Sequence, residues 1–169
     1  GSGDSRDVAR GIRFATDSGA RVINLSLGGS TESSSLTSAL QYAVDKGVLV
    51  VAASGNGFAD SAPKWPAASD LTLAVTSTDI NNNVGIFAQR GDYIDISAPG
   101  VGILSTSLGG YKMLNGTSMS AAFISGAAAL LFSAQPTITA TVVRDILLRT
   151  ATDLGVAGRD TTFGTGLVN

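Results

Sequence analysis

Neither cysteine nor histidine occurs among the 169 residues. The first absence excludes disulfides, thiol nucleophiles and thiolate metal sites, and leaves the compartment open. The second weighs more. Imidazole is the commonest general base and metal ligand, so no histidine of this sequence can move a proton in any reaction it supports. Charge is scarce too: Asp, Glu, Lys and Arg make up 14%, and 11 basic against 13 acidic residues leave a net charge of −2. No broad basic face is therefore offered to nucleic acid or to anionic lipid. Prolines number only four, whereas glycines number 21 and hydrophobic residues reach 44%. That profile implies a compact, turn-rich unit with a large core, and the length suits one domain spanning residues 1–169.

No stretch combines a basic start, an apolar middle and a small-residue cleavage site, so no secretion signal is visible. The apolar run at residues 119–134 is the one membrane candidate. It is short, carries Ser120, Ser125 and Ser133, and stops at Gln135-Pro136, which predicts a helix buried in a core and no membrane partner.

In chain order, Asp4 or Ser5 can cap a first helix whose inward face would be Val8, Ile12, Phe14 and Ala15. Residues 21–27 are short and β-branched and break at Gly28-Gly29, as a parallel strand does when it delivers its carboxyl end to a loop. A second helix follows through Leu36, Leu40 and Val44. The uninterrupted apolar run 48–53 predicts a strand covered on both faces, ending in Ser54-Gly55-Asn56-Gly57, where open α/β sheets bind ligands. Further strands are predicted at 71–77, 93–97, 102–106 and 111–114, and a turn at 79–83. A helix over 140–150 should turn Val142, Val143, Ile146 and Leu147 inward, and residues 161–169 should dock as an extended tail. The alternation of helix and strand predicts βαβ units. Repeats, charge blocks and linkers are absent.

Asn115-Gly116-Thr117-Ser118-Met119-Ser120-Ala121 sits where a strand stops and an uncharged, Ala- and Leu-rich helix begins. Ser118 is thus placed at a helix N-terminus, where backbone N–H groups are unpaired and the dipole favours negative charge. Such a place suits a carbonyl oxygen turning into an oxyanion, and equally a Ser or Thr that merely caps the helix.

Three loops with their order, Ser26-Leu27-Gly28-Gly29, Ala53-Ser54-Gly55-Asn56 and Gly116-Thr117-Ser118-Met119-Ser120, resemble the subtilisin-like serine peptidase family. Trp65-Pro66-Ala67, Phe87-Ala88, residues 95–101 and residues 164–169 extend the resemblance over the whole chain. It implies the C-terminal portion of one catalytic domain, part of a three-layer, mostly parallel α/β fold with a buried central helix. Ser118 would be the nucleophile that forms an acyl-enzyme, and Asn56 the oxyanion-binding side chain acting with the Ser118 N–H. Ser26, Leu27, Gly28 and Gly29 would pair with an extended polypeptide substrate and line its first specificity pocket, with Ala53, Ser54 and Gly55 opposite. The Trp65–Pro66 peptide would be cis. A secreted, extracellular enzyme is implied, with no cofactor required for chemistry. The family allows structural calcium, but Asp60, Asp70, Asp79, Asp92 and Asp95 form no recognisable ligand set, so no metal residue is assigned.

The resemblance also shows what is missing. The family runs Asp, His, Ser, and this sequence starts downstream of the histidine segment, so Ser118 has no partner base and the chain alone is expected to be inactive. Lys46, Lys64 and Lys112 fall in a helix end, a loop and a strand with no reason to converge on it. Ala122-Phe123 departs from the Pro-His of the family helix, which raises the case for a degenerate member. The favoured expectation is a serine endopeptidase completed by an N-terminal part of the same domain, carried on a separate chain. A truncated sheet would otherwise leave a large apolar flank bare. The alternative is a truncated or inactive pseudo-peptidase that binds extended peptides without cleaving them. A third option, the acid-acting branch that uses Glu and Asp with Ser, is opposed by the neutral Asn56.

Overall fold

The computed structural model describes residues 3–169. Its centre is a sheet of four parallel strands, β1 (Val22–Leu25), β2 (Leu49–Ala53), β3 (Leu73–Thr78) and β4 (Ile96–Pro99), side by side in chain order. Such strands must be apolar on both faces because helices cover both. β2 shows the partition: Val50 and Ala52 join a cluster with Ile12 and Leu40, while Leu49, Val51 and Ala53 join another with Ile124 and Val143. That is the period-two alternation of a pleated strand. The first cluster is roofed by α1 (Ser5–Asp17) and α2 (Ser34–Asp45), the second by α3 (Thr117–Ala134) and α4 (Ala140–Thr150). Three layers result. An antiparallel hairpin, β5 (Ile103–Ser107) with β6 (Gly110–Leu114), stands apart from the sheet and leads into α3.

Several sequence expectations shift. Of the sheet's three crossovers, only the one from β1 through α2 to β2 carries a helix; the chain returns through residues 54–72 and 79–95 without one. Loops of that length inside a compact domain usually serve function. The strand expected at 93–97 starts instead at Ile96, since the Asp95 carboxylate accepts from Ala74 N at 2.9 Å and pairs with Arg144 at 3.0 Å. Phe14 and Val142 were expected inward yet face solvent, as does Val44, while Ala9, Thr16, Ala39 and Ala43 fill the helix faces. α1 lies directly along α2, and small residues let two helices approach where larger ones cannot.

The central helix differs most. α3 buries one stripe, Ser120, Ala121, Ile124, Ala128 and Phe132, while Phe123 is 45% and Leu130 73% exposed on the opposite side. Among the described residues it is also the one helix long and apolar enough to cross a membrane, although its buried stripe forms part of the second core cluster. The C-terminal tail docks as expected: Val168 N donates to Ser97 O at 2.9 Å beside β4. Among the described residues no strand pairs with the outer edge of β1.

Candidate active site

The carboxyl ends of β1 and β2 and the amino end of α3 converge, which is where a doubly wound sheet opens a crevice. Thr117, the first residue of α3, is fully buried and holds this junction together. Its N–H and its Oγ1 donate to Asn56 Oδ1 at 3.0 and 2.9 Å, and Oγ1 accepts from Gly55 N at 3.1 Å. A backbone N–H can face only an acceptor, so this contact fixes the orientation of the Asn56 amide. Oδ1 is committed to Thr117, and Nδ2 is left as the outward donor. A Cβ added to Gly116 would lie 3.2 Å from Asn56 Nδ2 and 3.8 Å from Ser118 N, so both donors flank the same glycine.

Ser118 is the second residue of the helix, where an N–H has no intrahelical acceptor. Among the described residues no hydrogen bond engages it, whereas Met119 N is tied to Gly116 O at 3.1 Å. The Ser118 hydroxyl reaches Ser26 O only at 3.4 Å, beyond the ordinary range for an O–H donor. Its carbonyl is held more firmly, accepting from Ser26 Oγ at 2.8 Å. Asn24 Nδ2 donates to Ser26 Oγ at 2.8 Å, and Ser125 Oγ donates to Asn24 Oδ1 at 3.1 Å. A chain of polar side chains thus stitches β1 to the face of α3. The result is a partly exposed hydroxyl beside two free donors on a rigid helix start. Among the described residues no Lys, Asp or Glu side chain hydrogen-bonds to that hydroxyl.

The segments expected to line the substrate are near, but not uniformly open. Ser26, Leu27, Gly28 and Gly29 are exposed. Gly29, however, already exchanges both backbone bonds with Trp65, N to O at 2.8 Å and O from N at 2.9 Å, so only the backbone before it can meet a peptide. Ala53 and Ser54 are buried, and Ser54 uses its N–H on Val75 O and its carbonyl on Tyr93 Oη; the open part of that wall is Gly55 and Asn56. Burial pushes the Tyr93 phenol up to about 12. Trp65–Pro66 is cis, as the resemblance implied. Lys64, expected in a loop with no reason to converge on Ser118, makes no hydrogen bond to it among the described residues, and its stem packs against Gly28 and Gly55. Among the described residues no group of three or more carboxylates could hold a metal ion; Asp95 instead pairs with Arg144, and Asp79 accepts from the Asn81 and Asn83 N–H groups.

A model of the subtilase family matches residues 1–166. The chain belongs to the subtilase family. Among its relatives, alkaline elastase YaB of Bacillus sp. (strain YaB) is 44% identical over 170 residues, covering all of this chain and 44% of the relative. Subtilisin Savinase of Lederbergia lenta is 44% identical over 170 residues, covering all of this chain and 62% of the relative. The solved structure titled "S41 Psychrophilic Protease" superposes on all of this chain and 65% of its own with a TM-score of 0.93 at 36% identity. The chain is therefore a subtilisin-like α/β fold, and it spans between about two fifths and two thirds of the length of the curated relatives it matches. Within this subtilase portion, Ser118 and Asn56 meet across 62 positions of sequence through Thr117, a residue that sequence reasoning treated only as a neighbour or a cap. Asn24, Ser125 and Lys64 were likewise missed. Only Asn24 gave a signal, as a polar side chain interrupting the apolar strand Val22-Ile23-Asn24-Leu25.

Proposed function

We propose that this chain is the nucleophile- and oxyanion-bearing portion of a serine endopeptidase, active when an N-terminal part of the same domain supplies Asp and His. The Ser118 Oγ attacks the scissile carbonyl carbon while its proton passes to the imidazole of that other part. The carbonyl oxygen, now an anion, is received by Ser118 N–H and Asn56 Nδ2; collapse expels the amine with the returned proton and leaves an ester on Ser118, which water then hydrolyses. The observation that carries this reading is the Asn56 amide, turned by Thr117 so that its donor faces the nucleophile's helix end. A fixed donor at that point acts only once charge has developed, which is how such a group lowers a barrier.

The completing part has a surface to occupy. A groove of about 1220 Å³ runs from Ser118 along the bare side of α3, past Phe123 and Leu130, towards Ile146 and Val168. Apolar surface on this scale marks a contact in a longer assembly. Polypeptide is the substrate class, and the relatives' printed names, alkaline elastase and alkaline protease among them, support a protease; an extracellular location is what the family resemblance implies. No nucleic acid or membrane partner belongs to this proposal. A structural calcium would need ligands from elsewhere in the domain.

The test is labelling by a fluorophosphonate, which reports an activated serine. Rapid labelling of the chain with its His-bearing part, none of the chain alone, and none after Ser118→Ala are expected. Rapid labelling of the chain alone would show that it contains a base and would overturn the two-part mechanism. Peptide binding by the complete domain without any labelling would make it a pseudo-peptidase.

A further inference from the structure

The wall between Gly28 and Gly55 holds a feature that neither the nucleophile nor the oxyanion site requires. Lys64 lies between them. A Cβ added to Gly28 would meet Lys64 Cβ at 3.2 Å, and one added to Gly55 would meet Lys64 Cγ at 2.8 Å. Gly55 has a φ of +117°, and the antiparallel bridge between Gly29 and Trp65 pins the residue next to Lys64. The stem is therefore clamped between the two proposed pocket walls. The ammonium group carries three donors, and among the described residues no carboxylate pairs with it. The other polar group at this glycine is Gln89, fully buried, whose Nε2 donates to Ser61 O and Ala62 O while its Oε1 has no partner among the described residues. The Lys64 ammonium makes no hydrogen bond to that oxygen, so among the described residues its donors are left for a ligand. An unpaired cation half out of water, on a stem held by two glycines, is complementary to a carboxylate.

We infer that Lys64 makes the first specificity pocket select an acidic residue, Glu before Asp for reach, on the acyl side of the scissile bond. This rests on the proposed peptidase function and on the reading of Gly28, Gly29 and Gly55 as walls of the first specificity pocket, which the family resemblance implies. A peptide with Gln at that position presents nearly the same shape as one with Glu, without the charge. A Glu over Gln comparison therefore isolates the Lys64 contribution. A charge-assisted contact in a partly shielded site corresponds to roughly a ten- to hundredfold preference.

The experiment uses the complete domain and four chromogenic peptides identical except for Glu, Gln, Phe or Lys before the leaving group. The ratio of kcat/KM for Glu to that for Gln is compared within each of wild type, Lys64→Arg, Lys64→Gln and Lys64→Glu. A ratio within one protein is independent of how much of a variant folds. Wild type and Lys64→Arg are expected to favour Glu by at least about tenfold at low salt, with the preference shrinking as salt rises; Lys64→Gln should bring the ratio near unity, and Lys64→Glu should turn the preference to Lys. A wild-type ratio at or below unity, or a preference that survives Lys64→Gln, overturns the inference while leaving the peptidase intact. Cleavage of none of the four peptides would instead count against the catalytic reading.

Discussion

The arrangement of Thr117 predicts that it acts on catalysis only through Asn56. Thr117 Oγ1 supplies one of the two hydrogen bonds that fix Asn56 Oδ1, and the other, from Thr117 N at 3.0 Å, survives any side-chain change. Thr117→Val keeps shape and β-branching while deleting the hydroxyl. The amide thus loses one neutral bond worth about 0.5–1.5 kcal/mol, which corresponds to roughly a two- to tenfold loss in kcat. Asn56→Leu removes the donor itself and should cost about 10²–10³ in kcat; that magnitude is established for the corresponding amide of a subtilisin and is carried over rather than worked from this structure. KM should stay nearly constant in both, because the contact forms only as the oxyanion develops. Thr117→Val also strands the half-buried Gly55 N–H, at a cost of about 1 kcal/mol and a fall in Tm of about 2–4 °C. The assay is steady-state kinetics on the complete domain for wild type, both single variants and the double variant, with active sites counted by titration. In the double variant the Thr117→Val effect on kcat should vanish, leaving only the loss of Asn56. If Thr117→Val still lowers kcat severalfold without Asn56, or alone costs as much as Asn56→Leu, then Thr117 does not act by orienting that amide.

Three further outcomes test other parts of the structure. Leu130→Glu, on the bare side of α3, should change the chain's own unfolding free energy in urea by less than about 0.5 kcal/mol yet abolish gain of fluorophosphonate labelling on adding the His-bearing part; undiminished labelling would show that the groove is not the docking face. Gly164→Ala should destabilise by about 2–4 kcal/mol in denaturant unfolding, because φ is +63° and the new Cβ would overlap the Asp95 carbonyl; a loss under about 0.5 kcal/mol would show that this approach is not as close as described. Spectrophotometric titration should show one phenol ionising near pH 12 that Tyr93→Phe removes. Since folding raises this acid's pKa above the ordinary phenol range, its contribution to stability is intact below about pH 10 and falls between there and about 12; a Tyr93 that ionises near pH 10 would contradict its burial.

The sheet was legible where one physical demand acted on a whole segment. Residues 48–53 read as a strand because covering both faces requires an unbroken apolar run, and the flanking glycines mark its ends; β2 occupies nearly that span. Prediction failed where a tertiary partner outweighed the local pattern. Tyr93 and Ile94 look like strand residues, but the Asp95 carboxylate beside them is recruited by Ala74 N and Arg144, and the ladder begins only at Ile96. Helix faces were misjudged for a related reason. Phe14 and Val142 are more hydrophobic than Ala9 or Thr16, yet the space between packed helices is set by the partner's shape, which one helix's sequence does not contain.

The candidate site divides along the same line. Ser118 and Asn56 were singled out because each sits in a short motif, whereas Thr117, Asn24 and Lys64 come to the site through contacts such as Lys64 with Gly28, Thr117 with Asn56 and Asn24 with Ser125, which span 36 to 101 positions in sequence. The missing histidine was legible at once, and its consequence is quantitative. Removing an oxyanion donor from a serine peptidase costs about 10²–10³, whereas removing the base costs about 10⁶. On the proposed two-part reading, the half of the chemistry carried by this chain is therefore the smaller in rate and the larger in geometry. Orienting an amide against a helix start demands a geometry held to within about 0.5 Å, and the Thr117 contacts to Asn56 and Gly55 hold it. On the same reading, a proton acceptor needs only to reach Ser118 from one side, and the apolar groove that begins beside Met119 and Phe123 is the face through which the completing part would bring it.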